Sequence, residues 1–155
     1  MKILVVSDTH RTIEKMHMAV MEEKPDLVLH LGDHDSDAME LSNLLPNQQI
    51  AWVKGNCDSF SDSALTFEQS FQGVKIFAAH GHKYNVKSSL LRFTYAAMEA
   101  GAHVALFGHT HCPYCVEHNG LWLMNPGACG TYRASYGLIE IENGSVKCRL
   151  VEGEL

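Results

Sequence analysis

Five apolar runs in this chain stop in the same way, on short loops of glycine, aspartate, asparagine and histidine, and that shared ending limits the possible folds. Ile3 to Val6 runs into Ser7-Asp8-Thr9-His10, Leu27 to Leu31 into Gly32-Asp33, and Ile50 to Val53 into Gly55-Asn56. Val74 to Ala79 runs into His80-Gly81-His82, and Val104 to Phe107 into Gly108-His109-Thr110-His111. The runs are short and mostly β-branched or aliphatic, as in strands buried on both faces. In α/β sheets, functional side chains gather beyond the carboxyl ends of strands, where loop backbone meets solvent over a rigid base. A fold that brings these five ends together collects Asp8, His10, Asp33, Asn56, His80, His109 and His111.

Between the runs the hydrophobic period changes. Thr12 to Glu23 carries Ile13, Met16, Val20 and Met21 at helical spacing, with Thr12 as N-cap and Pro25 as stop. Met16 and Met21 are both expected in the core. The unit from Ile3 to Leu31 is therefore strand-helix-strand, which should cross over into a parallel pair. Ser36 to Leu45 repeats the pattern, capped by Asp35 or Ser36 and ended by Pro46, with Met39, Leu41, Leu44 and Leu45 on its apolar face.

From Leu65 the chain turns to hairpins. Leu65 to Phe71 and Val74 to Ala79 read as an antiparallel pair turning near Gln72-Gly73. Ser88 or Ser89 opens a third helix, running through Leu91, Tyr95 and Met98 to a Gly101 C-cap. Asn119-Gly120 and Asn143-Gly144 are type I′ turn signals. The first lies between Cys115-Val116-Glu117 and Leu121 to Met124, the second between Tyr136 to Ile141 and Val146 to Val151. So many strands exceed one comfortable open sheet, so an α/β fold of two packed mixed sheets, a β-sandwich flanked by helices, is expected. The 155 residues fit one domain, 1–155.

Composition excludes some roles. A formal charge of -6 without a Lys/Arg cluster argues against a stable nucleic-acid complex. No run approaches the roughly 18 apolar residues of a membrane span, and Met1-Lys2-Ile3 enters a strand directly, leaving no room for a signal peptide. Five cysteines, Cys57, Cys112, Cys115, Cys129 and Cys148, form no framework spacing and are expected to be reduced thiols in a cytoplasmic protein.

Seven oxygen and imidazole donors without a thiolate are too many for one transition ion, and calcium, which takes many ligands, avoids imidazole. Two borderline ions sharing a carboxylate fit better. Singly, Asp8 could be a helix cap and Asn56 a turn residue; chance placement does not put such donors after every strand. His17, His30, His103 and His118 are expected in structural or surface roles, while Arg11, Lys83 and Arg133 are candidate phosphate contacts.

Asp8-Thr9-His10, Gly32-Asp33, Gly55-Asn56-Cys57-Asp58, His80-Gly81 and Gly108-His109-Thr110-His111 resemble, in order and spacing, the motifs of calcineurin-like metallophosphoesterases. The likeness is greatest to their small single-domain bacterial and archaeal phosphodiesterase branch, which Asn125-Pro126-Gly127 also resembles. The resemblance implies an αββα fold and two divalent ions: one held by Asp8, His10 and His111, the other by Asn56, His80 and His109, with Asp33 bridging. It implies in-line attack by a metal-bridging hydroxide on small or nucleotide-like phosphodiesters, with Asp33, Asn56 and His109 catalytic as well as ligating. A bridging carboxylate suits ions roughly 3.5 to 4 Å apart. Manganese is the ion the resemblance favours; nickel, cobalt, iron and zinc also suit the donor set.

Larger members of the family place a histidine after the asparagine, where this chain has Cys57. That substitution predicts a preference for acidic leaving groups, or an alternative acid such as His34 or His82. A competing function is a non-catalytic protein-binding scaffold like the small retromer subunit; that protein departs from the ligand set, whereas this chain keeps all seven positions. Cys112-Pro113-Tyr114-Cys115 resembles a glutaredoxin motif but enters a hairpin rather than a helix, which argues against redox chemistry. Exposed hairpins such as that at Asn119-Gly120 offer edges for pairing into a dimer or tetramer.

Overall fold

Side chains alternate across a strand, so a strand fully buried on both sides must lie inside a layered structure. Ile3, Leu4, Val5 and Val6 are all fully buried, and they divide between two cores: Ile3 and Val5 in one, Leu4 and Val6 in the other. The computed structural model, which describes residues 1–153, has four layers.

β1 (Lys2–Val6), α1 (Ile13–Glu23), β2 (Leu27–His30), α2 (Asp35–Leu44) and β3 (Gln49–Trp52) alternate along the chain. The three strands are parallel neighbours, with Ile3 opposite Leu27 and Leu27 opposite Gln49. β4 (Thr66–Phe71) and β5 (Val74–Ala79) form the expected hairpin, followed by a 3-10 turn at His82–Tyr84, α3 (Leu91–Glu99) and β6 (Val104–Leu106). β7 (Tyr114–His118) and β8 (Leu121–Asn125), then β9 (Ser135–Glu142) and β10 (Ser145–Glu152), are the two Asn-Gly hairpins. Strand order is β10-β9-β1-β2-β3 in the first sheet and β4-β5-β6-β8-β7 in the second.

The sheets meet face to face over Ile3, Val5, Leu29, Ile76, Val104, Leu106 and Ile139. α1 and α2 cover the outside of the first sheet with Met16, Val20 and Leu41 against Leu4, Val28 and Leu138. α3 covers the second with Phe93 and Ala97 against Phe77 and Phe107. The expected sandwich between helices is thus observed.

Several local expectations are corrected. Met21 is 56% exposed while Met16 is fully buried, because the two-helix layer lets only one flank of α1 meet the sheet. Met39 and Leu44 are exposed for the same reason on α2. Neither Asp35 nor Ser36 caps α2: His34 is the N-cap residue, and the N–H groups of His34 and Asp35 donate to the carboxylate of distant Asp58. Thr12 stands at the N-cap of α1 without a side-chain hydrogen bond. α3 begins at Leu91, whose N–H donates to Ser89 Oγ, and Gly101 (φ +69°) follows the C-cap, with Ala102 N–H returning to the Ala97 carbonyl.

Candidate metal centre

All five loops singled out by sequence leave the carboxyl ends of β1, β2, β3, β5 and β6 at one end of the sandwich. Backbone bonds continue into them: Asp8 N–H donates to the Gly32 carbonyl at 3.1 Å, and Gly108 N–H to the His80 carbonyl at 3.0 Å. Asp8, His10, Asp33, His109 and His111 all hold left-handed backbone, with φ of 54°, 46°, 57°, 67° and 58°. For a residue with a β-carbon this conformation costs on the order of 1 kcal/mol, and such strain concentrates where geometry serves function. Close approach fixes two glycines. A β-carbon on Gly55 would overlap the Asp33 carboxylate, and one on Gly108 would overlap Ser7 Oγ.

Asp8, His10 and His111 form one donor group. Asp8 Oδ1 lies 3.1 Å from His111 Nε2 and 4.0 Å from His10 Nε2, and the two imidazole nitrogens are 3.4 Å apart. Asp8 Oδ2 accepts from Ser7 Oγ at 2.6 Å and from His109 N–H at 3.2 Å. Oδ1 is buried and makes no hydrogen bond, a costly state for a carboxylate oxygen unless a cation sits against it.

Asp33, His80 and His109 form a second group, joined by Asn56. His80 is fully buried, and its Nδ1 faces the Leu31 carbonyl at 2.9 Å. A carbonyl only accepts, so Nδ1 carries the proton and Nε2 presents its lone pair. That lone pair faces Asn56 Oδ1 at 3.1 Å and Asp33 Oδ2 at 3.4 Å. Three acceptors converge, an arrangement stable only around a cation or an added proton. The electrostatics favour the added proton where no cation is bound: burial lowers the His80 pKa, but the bond to Asp33 and the charges of Asp8 and Asp33 outweigh it and raise the pKa. Burial likewise disfavours the Asp33 carboxylate, yet His80 and the Cys57 N–H at 2.9 Å hold its pKa well below the usual carboxylate range. The donor set of both groups therefore fits divalent cations.

His109 belongs to both halves, its N–H on Asp8 and its ring grouped with Asp33 and His80. Burial, then the neighbouring His80 and Lys87, lower its pKa, which favours the neutral imidazole a cation needs. His34 and His82 flank the centre on opposite sides. The His34 ring is 5.2 Å from that of His10, and the His82 ring 5.4 Å from that of His80 and 6.2 Å from that of His109. Burial and then Asp33 push the Cys57 thiol up to about 11. Arg11, Lys83 and Arg133 are exposed.

Sequence reasoning missed the supports. Ser7 holds Asp8, Asn125 Nδ2 donates to the Gly108 carbonyl and to Thr110 Oγ1, both at 2.9 Å, and Asp37 and Asp58 accept backbone N–H groups of the ligand loops. Ser7, Asp58 and Asn125 stood inside or beside the quoted motifs; Asp37 gave no signal. Cys112 lies on a loop and Cys115 in β7, so neither stands at a helix N-terminus, and burial raises the Cys115 thiol pKa.

Residues 1–144 match the calcineurin-like phosphoesterase superfamily domain. The chain belongs to this superfamily. Among relatives of this superfamily member is a Bacillus subtilis protein named probable metallophosphoesterase YsnB, 32% identical over 162 residues, covering 98% of this chain and 91% of the relative. Phosphodiesterase MJ0936 of Methanocaldococcus jannaschii is 28% identical over 152 residues, covering 85% of this chain and 86% of that protein. Among solved structures, a phosphoesterase-family protein of Streptococcus pneumoniae superposes with TM-score 0.81 at 26% identity, over 97% of this chain and 88% of that one. Vps29 of Entamoeba histolytica, solved with zinc, shares the fold: TM-score 0.78 at 22% identity, over 98% and 99% of the two chains. The superfamily member is accordingly a phosphoesterase hydrolase whose fold and donor groups imply divalent metal.

Proposed function

We propose that this protein is a dinuclear metal-dependent phosphodiesterase acting on small or nucleotide-like phosphodiesters. The observation that carries the reading is the convergence of His80 Nε2, Asn56 Oδ1 and Asp33 on one point, beside an Asp8 oxygen that no protein group satisfies. Asp8, His10 and His111 would hold one ion, and Asn56, His80 and His109 the other, with Asp33 shared. Divalent ions in these sites supply water of lowered pKa and neutralise phosphoryl oxygens. Manganese is the ion proposed, on the mixed imidazole and carboxylate donors, which nickel, cobalt, iron and zinc also suit.

The rest of the work belongs to the chain. His10, Asn56 and His111 are exposed, so the centre opens directly to solvent and admits a small diester. A groove of about 360 Å³ beside it, lined by Asn56, Ser59, His82 and Lys83 among others, gives a leaving group room. No histidine follows Asn56, and the Cys57 that stands there donates its backbone N–H to Asp33. His34 and His82, one at each flank, are the imidazoles available to protonate a leaving oxygen, and substrates with acidic leaving groups need that help least.

The test is hydrolysis of a chromogenic bis-aryl phosphate with added manganese, before and after chelation. Turnover lost on chelation and restored by manganese supports the proposal. Absence of metal-dependent turnover would move the protein to the protein-binding use of this fold. Within an active enzyme, rates across aryl leaving groups should fall as leaving-group pKa rises, and more steeply in the His34→Ala, His82→Ala double variant. Indifference to leaving-group pKa in that variant overturns the assignment of an imidazole acid.

A further inference from the structure

Two of the buried carboxylates beside the five loops that belong to neither donor group are Asp37, 4% exposed, and Asp58, 8% exposed. Among the described residues neither has a basic side chain as a salt-bridge partner. Their partners are loop backbone and one hydroxyl. A buried carboxylate facing only such donors fixes the position of whatever carries them, because losing the bonds leaves a charge unsatisfied.

Asp37 serves the first loop. Its Oδ2 accepts from Thr9 Oγ1 at 2.6 Å and from Arg11 N–H at 2.8 Å, the two residues on either side of His10. The network has a fixed direction. Gly32 N–H donates to His30 Nδ1 at 3.1 Å, so Nε2 carries the ring proton and faces Thr9 Oγ1 at 3.0 Å, leaving the Thr9 proton for Asp37.

Asp58 serves the second and third loops. Its Oδ1 accepts from His34 N–H at 2.9 Å and Asp35 N–H at 3.2 Å, immediately after Asp33, and its Oδ2 from Gly55 N–H at 2.7 Å, immediately before Asn56. The contact is returned: Asp33 Oδ1 accepts from Cys57 N–H, the residue between Asn56 and Asp58. Each loop thus supplies the acceptor for the other's backbone.

We propose that Asp37 and Asp58 are positioning residues with separate clients: Asp37 sets the loop for the ion of Asp8, His10 and His111, and Asp58 sets the loops for the ion of Asp33, Asn56, His80 and His109. The assignment rests on the two-ion reading above. It means that the two ions can be lost one at a time through residues that touch neither.

The experiment is metal titration of chelated protein with manganese, read by calorimetry and by elemental analysis after gel filtration, on the parent, Asp37→Asn and Asp58→Asn. Asp58→Asn keeps the shape but sets an amide against a backbone N–H, because both Asp58 oxygens accept; Asp37→Asn keeps an oxygen for Thr9 and Arg11 and removes the charge that strengthens both bonds. Outer supports of metal ligands are worth roughly tenfold to a hundredfold in affinity, so Asp37→Asn should weaken the first ion by that factor and leave the second unchanged, while Asp58→Asn should weaken the second by that factor and the first by less, through shared Asp33. Backgrounds identify which. With His111→Ala removing the first ion, Asp58→Asn should weaken the remaining binding by that factor and Asp37→Asn should not alter it; with Asn56→Ala removing the second, Asp37→Asn should give the larger loss.

Melting of the metal-free variants monitors folding. Equal weakening of both ions by either variant, or weakening of neither, overturns the proposal, as does failure of both Asn variants to fold. A parent that binds fewer than two ions overturns the two-ion reading itself and this assignment with it.

Discussion

His80 illustrates how one side chain is held to present a lone pair. One nitrogen is committed to the Leu31 carbonyl, the other faces two oxygens, and the ring has no exposed surface. His80→Ala should lower kcat/KM by at least about a hundredfold, the upper range for disturbing even the supports of a ligand, with assays at saturating manganese as the measure. His30 shows the opposite use of a buried imidazole. Desolvation lowers its pKa from 6.5 to about 4, outweighing the nearby Asp37 and Asp8. Between those values the unfolded chain takes up a proton that the native state refuses, so stability is fully present above pH 6.5 and falls as pH drops towards 4. A gap of that size is worth about 3 kcal/mol. Urea unfolding of chelated protein at pH 7.5, 5.5 and 4.5 should show this loss, and His30→Asn, which keeps an acceptor for Gly32 N–H, should show a shallower one. An unchanged slope in the variant would assign the acid sensitivity elsewhere.

At the scale of elements, burial on one face separates residues that share a helix. Phe93 in α3 is fully buried, with its ring 5.3 to 5.6 Å from those of Phe77, Tyr84 and Phe107, while Tyr95 and Met98 are 58% and 59% exposed. Phe93→Ala should cost about 3 to 5 kcal/mol, whereas Tyr95→Lys or Met98→Lys should stay within about 0.5 kcal/mol, measured by urea unfolding. The same distinction explains what was legible beforehand. Each of the five loops carried its own signal, a short apolar run followed at once by Asp, Asn or His, so the strands and the seven candidate donors could be read locally. The Asn-Gly turns were local too, because their backbone demands those residues. The start of α2 was not: Asp58 caps it from a loop beyond β3, and no spacing rule links the two. Nor was the fate of Met21, whose helical position matched Met16 in pattern but faces no neighbouring layer. His30 was assigned a structural role from its place inside a strand; its chain through Thr9 to Asp37 depends on α2 folding back over β1 and β2.

Across the whole molecule, the centre is where the two sheets are joined at one end. Asp8, His10, Asp33 and Asn56 follow strands of the first sheet, while His80, His109 and His111 follow strands of the second. Each donor group therefore draws on both sheets: Asp8 and His10 meet His111, and Asp33 and Asn56 meet His80 and His109. Cations bound there would cross-link the layers and bind only the folded chain, since the unfolded one scatters the donors over a hundred residues. Ligand saturation then stabilises by mass action, about 4 kcal/mol for an ion at a thousand times its dissociation constant. For a chain of this size that corresponds to roughly 8 to 16 °C in Tm per ion. Calorimetry with and without manganese should show an increase of that order, and chelation should reverse it. Hydrogen exchange separates a cross-link from a local effect: slowing should extend together to the loops after β1 and β2 and to those after β5 and β6. If only one sheet's loops become protected, that sheet alone binds the metal, and the donor groups do not span the sandwich in solution.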